Sequence, residues 1–294
     1  MKKFLLAGLL SAVAAPLAAQ APLPDADPAM WVAKDEDTTV YLFGTFHMLD
    51  GKQDWFNDEV KTAFDASQEV VVEAIIPEDP AALQPLIMKH ALDMSGKKLS
   101  DKLTPHVKTQ LDAMLTKAGI PAEARQGFDM MKPWFVSTVV TSIATDKMGL
   151  KPEHGADKIL TTAAKAKNLK IGELEGVEWQ LGMFDALPEA QQVAMLSDSI
   201  TEFDKIETMF KPMLAAWSSG NTEGLAEIMN EDDDPALYKL IFTDRNAKWA
   251  EWIDTRMEQP GTVFIAVGAG HLAGKGSVQD FLAQKGIKSE RVTQ

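Results

Sequence analysis

Two short elements of one form, Gly44-Thr45-Phe46-His47 and Gly268-Ala269-Gly270-His271, constrain this chain more than any other feature. Each closes an apolar run, Thr38-Thr39-Val40-Tyr41-Leu42-Phe43 in the first case and Thr262-Val263-Phe264-Ile265-Ala266-Val267 in the second. β-Branched and aromatic residues suit a half-buried pleated surface, so both runs read as strands. Glycine at a strand end permits a sharp bend or a close backbone approach. A histidine just beyond the bend can point into the crevice at the strand's carboxyl end, where open α/β sheets hold their ligands.

Around these two elements the chain alternates strand and helix. Met30–Ala33 and Thr38–Phe46, joined by the polar turn Lys34–Asp37, read as a β-hairpin. Phe56, Val60 and Phe64 mark one face of a helix that leads into a short buried strand, Glu69–Ala74. From Pro77 to about Lys151 the pattern is helical and rich in Met, Leu and Ala, with segments near 80–93, 106–118 and 123–149. A helix at 156–167 leads to a strand at 169–174, which ends at Glu175-Gly176. Helices come next near 177–185, 188–210, 211–218, 222–229 and 242–257, then a helix at 277–285 and a strand at 289–293. The expected fold class is α/β (α+β): a mixed central sheet flanked by helices, with a large helical insertion at about 77–151.

The first residues are excluded from that fold. Lys2-Lys3, an apolar run from Phe4 to Val13 and small residues up to Ala21 have the form of a secretory signal peptide. We take residues 1–20 as that segment and 21–294 as a single domain, exported to the periplasm or secreted. With no Cys, the chain has no disulfides, thiolate ligands or thiol nucleophile. The formal charge is -14, and losing Lys2 and Lys3 makes it about -16. So acidic a chain is a poor partner for nucleic acid or anionic membrane. The most apolar later stretch, Trp134 to Ile143, is too short to span a bilayer, so no membrane span is expected once the signal is removed.

Five histidines limit the chemistry: His47, His90, His106, His154 and His271. His90 and His106 lie in the helical stretch without a recognisable ligand set, and His154 sits in a loop entering a helix. His47 and His271 stand at strand ends, as do Glu73 and Glu175. If the strands run parallel, two imidazoles and two carboxylates converge on one sheet edge. The two imidazoles with one or two of these carboxylates could then hold a divalent metal with positions open for water and substrate. Glu73 or Glu175 could act as general base. Arg245 and Asn246 share the apolar stripe of Phe242, Trp249 and Ile253. Arg rarely lies on an inward helix face unless paired, so Arg245 is expected to neutralise the carboxylates or hold a substrate carboxylate. The alternative is that these are satisfied core groups, with Glu73 simply paired to Arg245. The run Glu231–Asp234 lacks calcium-loop spacing and reads as a solvated loop.

An ordered set of blocks resembles the TraB/GumN-type proteins, related to the Tiki family of metal-dependent proteases. The blocks are Thr39–His47, Val70–Glu73, Glu153–Asp157 with Gly172–Glu175, Asp244–Trp249, and Phe264–Leu272. The resemblance covers nearly all of the mature chain. It implies a fold similar to that of erythromycin-esterase-like and haem-binding ChaN-like proteins, and a site at His47, His271 and Glu73, with Glu175 and Arg245 carried over more softly. The expected function is a metal-dependent hydrolase or peptidase acting on a peptide or small-molecule substrate. The alternatives are a non-catalytic periplasmic binder of peptide, pheromone or haem, with His47 or Tyr41 as axial ligand, and a metal-free esterase-like hydrolase.

Overall fold

The computed structural model describes residues 22–230 and 235–293. The expected signal segment and the acidic run 231–234 lie outside the described residues.

Six strands form one mixed sheet: β1 Met30–Lys34, β2 Thr38–Thr45, β3 Glu69–Val72, β4 Lys170–Glu173, β5 Gly261–Gly268 and β6 Ser289–Arg291. Their order is β4-β3-β5-β2-β1-β6. β4, β3, β5 and β2 run parallel, and β1 and β6 close one side in antiparallel pairing. The expected hairpin of β1 and β2 forms because Asp35 Oδ1 accepts the N–H groups of Asp37 and Thr38, fixing a tight turn. The parallel core is the arrangement on which convergence of the strand-end residues depended.

Side-chain alternation divides the sheet's two faces. On one face Phe43, Val70, Val72, Phe264 and Ala266 pack beneath the helices Asp58–Ala66, Ala156–Ala166 and Ile206–Ser218. On the other, Val40, Leu42, Val71, Val263 and Ile265 pack against the helices Asp244–Met257 and Val278–Gln284. Trp249 and Ile253 anchor the helix 244–257. Burying such a side chain contributes roughly 1.5–3 kcal/mol, enough for these two to carry Arg245 and Asn246 inward with them. Helices also fill the expected insert, but their core is completed from outside it. Leu99, Val107, Leu111, Val136 and Val140 pack with Leu196 and Ile200 of the helix Glu189–Thr201.

Several element boundaries differ from the expected ones for local reasons. The first helix begins at Asp58 because Asn57 is extended; Phe56 still packs edge-on to Phe64, with centroids 5.1 Å apart. The segment 123–149 is two helices, Ala122–Phe128 and Pro133–Lys147, because Pro133 starts a new one. The break expected near 210 falls instead at 202–205, and Pro212 sits inside the helix Ile206–Ser218. No helix among the described residues is long and apolar enough to cross a membrane.

Candidate active site

The site is built at the carboxyl edge of β2, β5 and β3, where the register places the two motifs side by side. Gly44 pairs with Val267, and Thr45 with Gly268. A Cβ on Gly44 would lie 3.0 Å from Ala269 Cα, so the two motifs touch through a glycine that leaves room for the other's backbone. Phe46 turns into an aromatic cluster, 5.6 Å from the Phe210 ring and 5.4 Å from that of Trp217. His47, one residue on, is left 63% exposed at the mouth.

A loop from the far end of the helical stretch holds His47 in place. Leu49 and Lys151 form a two-way backbone bridge, and Ala156 N–H donates to Phe46 O at 2.9 Å. Asp157, in the first turn of the helix 156–166, accepts from Thr45 Oγ1 at 2.7 Å and lies 2.8 Å from His47 Nδ1. Gly155 makes this approach possible: a Cβ there would stand 2.1 Å from His47 O. We therefore expect Gly155→Ala to cost about 1–3 kcal/mol through forced backbone displacement, and to move His47 off Asp157. Chemical denaturation together with the His47 ring shifts in NMR measures both effects.

Asp157 raises the His47 pKa above the ordinary imidazole value, against some cost of burial. The shift carries it to about 9, so the ring is protonated below that pH and neutral above it. In the neutral form, with Nδ1–H donating to Asp157, Nε2 carries the lone pair, and it faces the space over Gly268. A Cβ at 268 would lie 3.2 Å from Glu73 Oε1, 3.5 Å from His271 Cδ2 and 3.6 Å from His47 Nε2. The missing side chain therefore leaves a cradle among the three residues that the sequence singled out.

Behind the cradle lies a buried ionic cluster. Glu73 directly succeeds β3, and strand-like pairing continues past β4: Leu174 N–H donates to Val72 O and Glu175 N–H to Glu73 O, both at 2.9 Å. Glu175 thereby arrives beside Glu73. Arg245 spends all five of its donors here. Nε donates to Glu175 Oε1 at 3.0 Å, and the Nη2 group donates to Glu73 Oε2 at 2.5 Å and Glu175 Oε2 at 2.9 Å. The Nη1 group donates to Ile241 O and His271 Nε2, both at 3.1 Å. Ile241 lies in a π-helical turn, Lys239–Thr243, directly before the helix 244–257; such widened turns recur at functional sites. The pairing expected for Arg245 is present. The guanidinium has no donor left for a substrate carboxylate, which corrects that part of the expectation.

The protonation of His271 is set by its neighbours. Asn246 Nδ2 donates to Gly276 O at 2.7 Å, which turns Oδ1 toward His271 Nδ1, 2.5 Å away. Nδ1 therefore carries the proton and Nε2 accepts from Arg245; this tautomer is assigned from the bonding pattern. Burial lowers the His271 pKa to about 3, with Arg245 adding to the effect, so the ring is neutral. Burial alone would raise the pKa of Glu73, but His271, Arg245, His47 and the Gly268 N–H bring it down to about 2. Since His271 is itself neutral above about pH 3, Arg245 carries the larger part of that effect at neutral pH. Gln180 Nε2 bridges Glu73 and Glu175 at 3.2 and 3.3 Å, and Trp249 Nε1 donates to Glu175 at 3.1 Å.

A depressed carboxylate pKa stabilises the fold above its unfolded value, and that stability is lost as pH falls through the folded value. For Glu73 the interval runs from 4.5 down to about 2. Urea denaturation should therefore show the fold weakening across that range, with a shallower acid limb in Glu73→Gln.

The expected three-donor metal set is not assembled as placed. Among the described residues no group of three or more His, Asp or Glu side chains is arranged to hold an ion. His47 Nε2 and Glu73 Oε1 face the cradle, but the single lone pair on His271 Nε2 is taken by Arg245. Asp157, Gln180 and Asn246 were not expected as site residues. For Asp157 the available signal was an acidic residue in the first turn of a helix, just past Gly155. His90 bonds to Asp185, and the His154 ring packs over Gly51.

A histidine–carboxylate centre at the carboxyl edge of a parallel sheet is the class of site this fold defines. The chain belongs to the TraB/PrgY/gumN family, which it matches over residues 29–291. It is 29% identical to "Uncharacterized protein YbaP" of Escherichia coli over 53% of this chain and 58% of that protein. It is 22% identical to "Metalloprotease TIKI1" of Danio rerio over 92% of this chain and 64% of that protein. The chain thus spans less than two thirds of the length of either relative. No solved structure gives a significant match.

Proposed function

We propose that this chain is an exported hydrolase of acyl bonds, a peptidase in the first instance, with His47 as the proton acceptor. One observation carries the reading: His47 Nε2 and Glu73 Oε1 face a common space over Gly268, which a single methyl group would fill. A water held there donates one hydrogen bond to Glu73 Oε1 and yields its proton to His47 Nε2 as it attacks the carbonyl. Asp157 then stabilises the imidazolium through Nδ1. Arg245 keeps Glu73 and Glu175 ionised, and neutral His271 completes the wall behind them.

The relative's name, "Metalloprotease TIKI1", supports a metal-dependent version of this reading. His47 Nε2 and Glu73 Oε1, which also accepts from Gly268 N–H, would hold a divalent ion, and His271 would join only by leaving Arg245. When bound, such an ion supplies Lewis-acid polarisation of the carbonyl and a more acidic water. Export to the periplasm rests on the Lys2-Lys3 and Phe4–Val13 pattern.

The test is a screen of peptide and ester libraries with chelated protein, repeated with Mn²⁺, Co²⁺ and Zn²⁺. Gly268→Ala should abolish turnover while leaving the melting temperature nearly unchanged. Retained turnover in that variant would overturn the proposed site. Stoichiometric, unprocessed capture of a peptide or of haem would favour a binding protein instead. For haem, Tyr41 lies mid-strand on β2, away from the carboxyl edge where His47 stands.

A further inference from the structure

A cavity of about 580 Å³ lies beside the ionic cluster, lined by Trp179, Met183, Leu187, Pro188, Ala236 and Leu240. Its size falls within the range of ligand pockets, and its walls are apolar, as such pockets require. Trp179 is 39% exposed, whereas Met183 and Leu187 are buried.

Its lining adjoins the site along the chain. Trp179 precedes Gln180, whose side chain bridges Glu73 and Glu175. Leu240 precedes Ile241, whose carbonyl accepts from Arg245, and Asp244, also on the lining, precedes Arg245 itself. Of the charges nearby, Lys239 pairs with Asp244, and Lys248 Nζ stands 5.0 Å over the Trp179 ring.

We propose that this cavity is the specificity pocket of the hydrolase, and that it takes a large apolar or aromatic side chain of a peptide substrate. The inference rests on the hydrolase reading above, since it assigns the cavity to the same substrate. A side chain seated between Trp179 and Leu240 would lie against the residues that directly precede Gln180 and Ile241. Burial of an aromatic ring against Trp179 supplies both area and ring stacking.

Binding can be read without turnover, which separates this inference from the hydrolase reading. The full chain, ¹⁵N-labelled, is titrated with N-acetyl-phenylalanine amide and with N-acetyl-aspartate amide, following the Trp179 indole signal assigned by Trp179→Phe. The phenylalanine compound should shift that signal saturably, and the aspartate compound should not. Met183→Trp, which fills the cavity, should weaken the phenylalanine compound at least tenfold. Leu240→Phe serves as a second filling variant should Met183→Trp fail to fold. His47→Ala should leave this binding unchanged, whatever becomes of catalysis. Equal shifts with both compounds, no shift with either, or a shift only with a fatty acyl amide would each overturn the proposal.

Discussion

Replacing Arg245 with methionine should destabilise the protein by about 3–5 kcal/mol, the largest single effect we expect on the fold. The methylene stem is preserved, so the loss isolates the charge. Arg245 is 5% exposed and is bonded to Glu73, Glu175, His271 and Ile241 O. Removing it leaves two carboxylates buried against one another with only Gln180, Trp249 and backbone N–H groups as partners. Like charges so placed cannot both remain ionised, and one carboxylate should take up a proton near neutral pH. Stability of the variant should therefore rise as pH is lowered modestly below neutral, the reverse of the parent chain. Lysine in the same position restores the charge but not the planar fork, and should recover only part of the loss. Denaturant unfolding of the parent, Arg245→Met and Arg245→Lys at two pH values checks all three statements. A loss below about 1 kcal/mol in Arg245→Met would show that the cluster is not the electrostatic centre of the fold.

His47→Ala should have the opposite profile: turnover reduced by about 10²–10⁴, with stability changed by no more than about 0.5 kcal/mol. The ring is mostly exposed and its only strong partner is Asp157, so little packing is lost with it. The neutral form is the base, and Asp157 raises the pKa, so kcat/KM should climb as pH rises through that value. Asp157→Asn removes the charge that raises the pKa and should move the rising limb to lower pH while also lowering the rate. A purely structural role for Asp157 would lower the rate without moving the limb. His271→Ala is the contrasting control: His271 is buried, bonded at both nitrogens and packed 4.3 Å from the Trp249 ring, so its loss should cost stability as well as turnover.

The contrast between the two histidines shows how far the sequence could be read. Their motifs are identical in spacing, and the sequence treats them as equivalent donors. In the structure, one is exposed and oriented by a carboxylate; the other is buried, neutral and committed to a guanidinium. The difference comes from the distant segments that each motif meets. Thr45 and His47 meet Asp157, more than a hundred residues later in the chain, whereas His271 meets Arg245 and Asn246 on a helix packed across β5.

The sequence by itself determined the strands at both motifs, the strand ends where the candidate residues stand, and the inward placement of Arg245. Each is a local signal: an apolar run ended by glycine, or a charge lying on an apolar helical stripe. Element boundaries such as the break at 202–205 escaped it, because residues flanking a turn are chosen by packing as much as by propensity. The parallel pairing of the strands and the partnerships at the centre were decided only by the tertiary structure. Asp157 reaches His47 because Gly155 lets its loop lie against the His47 carbonyl, and Glu175 reaches Glu73 because pairing runs on beyond β4. Arg245 exhausts its donors because two carboxylates and an imidazole close on it from three separate segments, together with a carbonyl of the preceding turn. Spacing along the chain records which groups are available; only the packed sheet and its helices fix which of them meet, and therefore which atoms stay free for chemistry.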